Sequence, residues 1–446
     1  MDHISRPPKQ TEDVVSQSPA FNRQEVYLRP NPARVIVRPF RPATEPRDLS
    51  PVDKTRANHI VDRVLALGTE EATLELTEVL GNFQSRHRNL LTLLERRAEE
   101  MEDAFASHTL FTRAQRLLVG AYFLNEYSFE ASALFNPSIV LDPDQSGALE
   151  GGHRVILSLR AVGEGHISSL TFRSGFIAAD GSVSMAPASR LASLPRVESR
   201  ESVEGGEAVE VGFDPAEELS ERVIFPLTLS QSNGIEDARF VTFEDEGRRT
   251  NYATYTAYNG LAIRSELIET TDFVSFRMMP LRGSAARNKG MALFPRKIAG
   301  RYAMIARQDN ENLYLIYSDD LYAWDGGTAI VKPRFPWEFV QIGNCGSPIE
   351  LDEGWLLLTH GVGPIRKYSI GAVLLAKEDP SKVLARSSQP LIRPEPSERE
   401  GYVPNVVYTC GAMRHGSRII LPYAVSDTFC HVSTIEIADL LSSLTP

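Results

Sequence analysis

RVILSLRAVG (Arg154–Gly163) has four echoes further along the sequence: YATYTAYNG (Tyr252–Gly260), YAMIARQDN (Tyr302–Asn310), WLLLTHGVG (Trp355–Gly363) and RIILPYAVS (Arg418–Ser426). Each starts on a residue that suits a sheet edge, runs through mostly apolar positions, and reaches a polar or aromatic side chain before a small-residue turn. TTDFVSF (Thr270–Phe276) and SDDLYAW (Ser318–Trp324) form a second echo, alike in the placing of Asp272 and Asp320. Self-similarity at roughly fifty residues marks radially repeated β-sheets. Five copies predict a five-bladed β-propeller, a fold that closes on itself and so leaves few free edges. The strands carrying these stretches are expected to be innermost, so the residues closing them would converge on one axis: Arg160, Tyr258, Arg307, His360 and Tyr423. Such a set suits a polyhydroxylated or anionic ligand. The long gap between the first two copies is expected to hold an insertion, Ser199–Glu221.

Two other regions come before the repeats. Residues 1–50 are rich in proline and arginine, which blocks helix and central strand. They read as an extended arm in which ARVIVRPF could pair as an edge strand. Residues 51–131 carry apolar residues at three- and four-residue spacing in ANHIVDRVLALG, ATLELTEVLGNF and RNLLTLLERRAEEMEDAF, with TRAQRLLVGAYFLNEY as one more helix. Gly68 and Gly81 suit helix ends. The expected architecture is therefore mainly β: arm 1–50, small helical region 51–131, and propeller 132–446.

Composition narrows the function. The 446 residues carry a net charge of −11, which argues against nucleic acid as main partner. No run is long and apolar enough to span a bilayer, and MDHISRPPKQTEDVV lacks the apolar core of a signal peptide. Three cysteines, Cys345, Cys410 and Cys430, without CxxC spacing point to neither a disulfide framework nor a zinc site. A cytoplasmic location is expected. Any homo-oligomer is expected to use the arm and the helices. DPDQSG (Asp142–Gly147) starts like a calcium loop, but its twelfth position is His153 where a glutamate is needed, so no metal site is expected. Cys430–His431 reads as structural.

SNGIEDARFVTF (Ser232–Phe243) opens a strand-like run with two acids and a base. The ordinary reading of such a cluster is a solvated turn with a surface ion pair. Taken with FNPSIV (Phe135–Val140), NKGMALFPRKIAGRYAMIAR (Asn288–Arg307), GSPIELDEGWLLLTHGV (Gly346–Val362), YSIGAVLLAKEDPSKVLAR (Tyr368–Arg386), and VPNVVYTCG with the later YAVSD (Val403–Asp427), it resembles glycoside hydrolase family 130. That family comprises β-mannoside phosphorylases and related β-mannosidases, and its fold is a five-bladed propeller. The chain departs from the family in Ala238, where proline is usual, in Gly290, where many members have an acid, and in the region before the propeller.

The resemblance implies roles. Asp237 falls at the catalytic acid, thought to act through the sugar's 3-hydroxyl. Lys289, Arg307 and His360 fall at phosphate-binding positions. Glu236 and Arg239 would orient and tune Asp237. Asn136, Arg160, Ser169, Tyr258 and Asp427 are candidate sugar contacts, and Trp337 could stack on a sugar face. A phosphorylase needs one acid, because inorganic phosphate replaces the second carboxylate of a hydrolase; phosphate is thus a co-substrate, and no cofactor is expected. The expected reaction is phosphorolysis of a β-mannoside with inversion, or its reverse from α-mannose 1-phosphate and a sugar acceptor. Two other readings remain open: a hydrolase on the same scaffold with Glu311 as base, and a non-catalytic glycan-binding propeller. For each polar residue the competing reading is structural: a surface lysine for Lys289, a core histidine for His360, strand-end hydrogen bonding for the rest.

Overall fold

The computed structural model describes residues 21–43, 55–105 and 111–446. The portions of the Pro/Arg-rich arm at 1–20 and 44–50 lie outside the described residues. Four helices occupy the early part of the chain: α1 (Arg56–Leu65), α2 (Thr69–Phe83), α3 (Leu90–Phe105) and α4 (Arg113–Tyr122). Thr55 and Thr112 cap α1 and α4, each hydroxyl accepting from the N–H three residues on. Gly68 lies at the start of α2, whereas Gly81 lies inside that helix and ends nothing. Helix α4 crosses α3 backbone to backbone at Gly120, where a Cβ would lie 2.1 Å from the Leu94 carbonyl oxygen. The segment TRAQRLLVGAYFLNEY is helical only as far as Tyr122. Its tail, Leu124–Tyr127, pairs antiparallel with Ile36–Pro39 from within ARVIVRPF.

The rest is antiparallel sheet in five sequential units. The first holds Ala133–Leu141, His153–Val162 and Ser168–Ile177. The second runs Gly234–Asp245, Arg248–Tyr258, Ile263–Thr270 and Ser275–Pro280. These two count as one eleven-stranded sheet through a lone parallel pair, Gly234 with Ser168. The third unit is Ala292–Leu293, Tyr302–Ala306, Leu313–Ser318 and Thr328–Val331. Gln341–Asn344, Trp355–Gly363, Lys367–Leu375 and Val383–Arg386 make the main path of the fourth. Val407–Tyr408, Arg418–Val425 and Phe429–Glu436 make the fifth, to which Asn22–Leu28 adds an outer strand. The region expected as an insertion forms a hairpin, Arg196–Val203 with Gly206–Gly212, which extends the second unit by pairing with Ser275–Pro280.

Each unit hydrogen-bonds to the next. Phe240 N–H donates to Ser138 Oγ (3.0 Å), Thr254 Oγ1 to the Met291 carbonyl (2.5 Å), and Ile342 N–H to the Glu311 carbonyl (3.0 Å). Tyr368 N–H bonds the Asn405 carbonyl (3.0 Å), and Cys410 N–H returns to Pro137 in the first unit (2.8 Å). A separate apolar core fills each junction. Phe172 meets Phe240 and Tyr255, Phe243 meets Met304, Leu315 meets Leu357, Leu358 meets Leu421, and Ile420 meets Leu134. Covered on both faces, inner strands such as Ala133–Leu141 and Trp355–Gly363 bury nearly every residue, so their sequences read as apolar runs rather than alternation.

The echoed stretches are the second strand of each unit, which corrects the expectation that they are innermost. The terminal strand in each case comes just before, and in the third and fifth units it is two residues long.

Candidate active site

Two β-bulges build the heart of a cavity. In the second unit, Glu236 faces Thr256 and Arg239 faces Thr254, so Asp237 and Ala238 oppose Tyr255 alone. In the first unit, Phe135 faces Arg160 and Ser138 faces Ser158, so Asn136 and Pro137 likewise oppose one residue. Both bulges put their first residue in the left-handed region, with φ +54° at Asp237 and +49° at Asn136. That conformation costs a residue with a Cβ about 1–2 kcal/mol, and bulges re-aim side chains. Here they turn the two toward each other: Asn136 Nδ2 donates to Asp237 Oδ1 at 2.6 Å.

Arg160 completes this cluster. Its Nη1 donates to Asp237 Oδ1 (3.2 Å) and its Nη2 to Glu236 Oε1 (2.7 Å), with the guanidinium carbon 4.9 Å from the Phe135 ring centroid. Burial pushes the Asp237 carboxyl up, but Arg160, Arg239, Lys289 and the Asn136 amide outweigh it and hold it at about 2. Asp427 shares the cavity and goes the other way. Its burial, only partly relieved by Arg160, raises it to about 7.

The same cavity carries a cationic wall of Arg239, Lys289 and Arg307. Arg239 donates from Nη2 to Tyr408 Oη (2.9 Å) and from Nη1 to the Asp237 carbonyl (3.2 Å). Arg307 Nη1 lies 3.3 Å from His360 Nε2. A guanidinium can only donate, so Nε2 accepts and the ring proton sits on Nδ1, 3.9 Å from Cys345 Sγ. Burial, then Arg307 and Arg239, lower the imidazole well below its usual range. His360 is thus a neutral holder of Arg307, not a further cation. Arg160 is taken up by two carboxylates. By contrast, no carboxylate lies within ion-pair distance of Arg239, Lys289 or Arg307 among the described residues, and the Nε–H groups of Arg239 and Arg307 are buried without partners.

The cavity measures about 150 Å³, and Asn136, Arg160, Asp237, Arg239, Lys289, Arg307, His360 and Asp427 all line it. Glu236 reaches it only through Arg160. Ser169 does not line it. It pairs with Ala161, one step on from the Arg160–Leu170 pair, so its hydroxyl points to the opposite face of the sheet. Tyr258 does not line it either, since its hydroxyl turns back to the Gly260 carbonyl (3.0 Å). Tyr423 is buried, its ring tilted at 46° to that of His431 with centroids 6.1 Å apart. Trp337 packs behind the fourth unit, against Gly361 and Gly371. Glu311 is exposed on a turn outside the cavity. The acids of DPDQSG are ion-paired to Arg154, Asp142 at 3.2 Å and Asp144 at 3.0 Å. Besides Val403 and Val406, four polar or aromatic lining residues were not among the candidates: Gln341, Arg366, Tyr368 and Tyr408. The last two lie within quoted family segments, so position in a motif was the available signal.

Residues 197–445 match the profile of a glycoside hydrolase family 130 described as beta-1,4-mannooligosaccharide phosphorylase, which is more than half of the chain. Over 155 residues the chain is 41% identical to the 1,2-beta-oligomannan phosphorylase of a Thermoanaerobacter species, covering 34% of this chain and 52% of that protein. Over 231 residues it is 30% identical to the beta-1,2-mannobiose phosphorylase of Listeria innocua, covering 50% and 63%. The chain thus spans between half and two thirds of the length of these two curated relatives. Among solved structures, a glycosyl hydrolase from Bacteroides ovatus superposes with TM-score 0.52 at 17% identity, over 70% of this chain and 86% of that one. At that identity the likeness speaks for the fold.

Proposed function

As this chain belongs to glycoside hydrolase family 130, we propose that it is an inverting β-mannoside phosphorylase and that its five sheet units are the blades of a β-propeller. The ring of inter-unit hydrogen bonds and the five junction cores support the second part. One observation carries the first: a single bulge-aimed carboxyl faces three cations that have no carboxylate partner.

In this reading phosphate occupies the wall of Arg239, Lys289 and Arg307, with His360 fixing Arg307. Arg307 offers a planar fork and Lys289 a point charge. Phosphate attacks the anomeric carbon, the bond to the leaving oxygen breaks, and the product is α-mannose 1-phosphate. Asp237 supplies the proton by way of the sugar's 3-hydroxyl. In the empty site it is ionised at neutral pH, held so first by Arg160 and then by Arg239 and Lys289, and the last two are cations that phosphate would neutralise. Phosphate binding therefore raises its proton affinity at the moment a proton is needed. Asn136, Arg160 and Asp427 contact the mannosyl hydroxyls, and Glu236 holds Arg160. Asp427, its carboxyl raised by burial to about 7, can donate to a hydroxyl when protonated and accept from one when ionised.

The catalytic domain is assigned to 132–446, with 51–131 as an accessory helical region. Three buried, unpaired thiols fit a cytoplasmic setting. A hydrolase would need a second carboxylate poised for water. Glu311 is outside the cavity, Asp427 is the other carboxyl lining it and is taken here as a sugar contact, and the cationic wall favours phosphate. A binding-only propeller is disfavoured because Asp237 points into the cavity.

The test is kinetic. Asp237→Asn should lower kcat about 10³-fold or more with the fold intact, and undiminished turnover would reject the assignment. Arg307→Ala should raise the phosphate KM about 100-fold. An unchanged phosphate dependence would turn the reading toward hydrolysis.

A further inference from the structure

Two hairpin tips, one of them carrying the cavity-lining Arg366, are conformational copies of one another. One follows Arg160 and runs Gly163-Glu164-Gly165-His166-Ile167. The other follows His360 and runs Gly363-Pro364-Ile365-Arg366-Lys367. Gly163 and Gly363 share φ/ψ of −112°/−157° and −106°/−161°, and the closing residues Ile167 and Lys367 match at −74°/123° and −75°/114°. Between them both tips pass through the left-handed region twice, with His166 at φ +60° and Arg366 at +53°. The preceding position is Gly165 at φ 68°, ψ 15° in one tip and Ile365 at φ 55°, ψ 36° in the other.

Glycine meets that conformation without cost, whereas a β-branched residue there is an outlier. Ile365 is also 92% exposed. The fold gains neither backbone comfort nor core burial from this isoleucine. Strain of this kind points to a use at a binding site. Its surroundings indicate which use. Arg366, the next residue, lines the cavity, and its charge acts on Asp427. The first tip is tied to another loop, with His166 Nδ1 2.7 Å from Tyr402 Oη, and the charges of Arg160 and Asp427 act on that tyrosine. The phosphate wall and the carboxylate cluster line the cavity, so in the phosphorylase reading the second sugar lies beyond them, on the side of Arg366.

We propose that Ile365 is the acceptor-side specificity residue, its side chain lying against the apolar C–H face of the sugar that leaves in phosphorolysis and attacks in synthesis. This rests on the phosphorylase reading above. A pyranose presents one face of C–H groups and a rim of hydroxyls. Ile365 meets the face while Arg366 and Tyr402 offer partners to the hydroxyls.

The test uses the full chain in the synthetic direction, with α-mannose 1-phosphate saturating, β-1,2-mannobiose varied, and phosphate release measured. Ile365→Gly should raise the acceptor KM about tenfold, leave the KM for α-mannose 1-phosphate within about twofold, and fold with an equal or higher Tm. Ile365→Val, which keeps the aliphatic branch, should stay within about twofold of wild type. An unchanged acceptor KM in the glycine variant, or an equal rise in both KM values, overturns the proposal. If the wild type releases no phosphate, the phosphorylase reading fails instead. Calorimetric binding of β-1,2-mannobiose then decides the contact: weaker binding by the glycine variant keeps it, and equal affinity removes it.

Discussion

Asp237 and Asp427 face one cavity with opposite proton affinities, and the difference comes from their partners. Asp237 has three cations and an amide against its burial; Asp427 has burial and a nearby like charge against Arg160 and Arg366. Both carboxyls start from 3.8 when unfolded. From about pH 4 to 7 the unfolded chain sheds the Asp427 proton while the folded chain keeps it, so stability falls as pH rises through that window. Asp237 works the other way: it contributes above about pH 4, and that contribution is lost as pH falls toward 2. Asp427→Asn should therefore flatten the loss between pH 5 and 8, read as the urea midpoint of variant and wild type at both values. Equal falls in both proteins would contradict this. Asp237, Asn136 and Arg160 were legible in the sequence because each sits in a short contiguous motif. Ser169 was misplaced for a reason of period, since on a strand one residue decides the face, and Tyr258 because its hydroxyl turns back to the Gly260 carbonyl.

Elements were legible in proportion to their length. The four helices show full turns of periodicity, yet the segment after Tyr122 switches to strand because Ile36–Pro39 supplies a ladder that no local pattern announces. Terminal strands such as Ala292–Leu293 and Val407–Tyr408 are too short to carry a period, so the longer strand beside each took their place in the reading. The arm is held by a buried ion cluster. Arg34, fully buried, bonds Glu130 and the Ser220 carbonyl, and Glu130 also takes Arg173 at 3.1 Å. Arg34→Ala would strip a buried carboxylate of one partner and leave the Ser220 carbonyl without its donor. A loss of about 3–5 kcal/mol is expected in chemical denaturation. A loss below about 1 kcal/mol would mean the cluster relaxes without Arg34.

At the scale of the whole molecule, an early segment finishes the last sheet. Asn22–Leu28 pairs with Phe429–Glu436, so the two ends of the described chain meet in the fifth unit. Removing residues through Leu28 would bare the edge of Phe429–Glu436, and a lower Tm with a stronger tendency to associate is expected. An unchanged Tm would make that strand ornamental. The five-unit architecture was legible from the echoes, while the closing strand was not, because its partner lies some 400 residues away in sequence and nothing local encodes the pairing.

The central claim is that phosphate, held by Arg239, Lys289 and Arg307 opposite Asp237, is the nucleophile. Its most direct test is anomeric proton NMR of the full chain acting on β-1,2- and β-1,4-mannobiose, with and without inorganic phosphate. The account predicts α-mannose 1-phosphate as first product, formed only when phosphate is present. Free mannose released at the same rate with or without phosphate would contradict it.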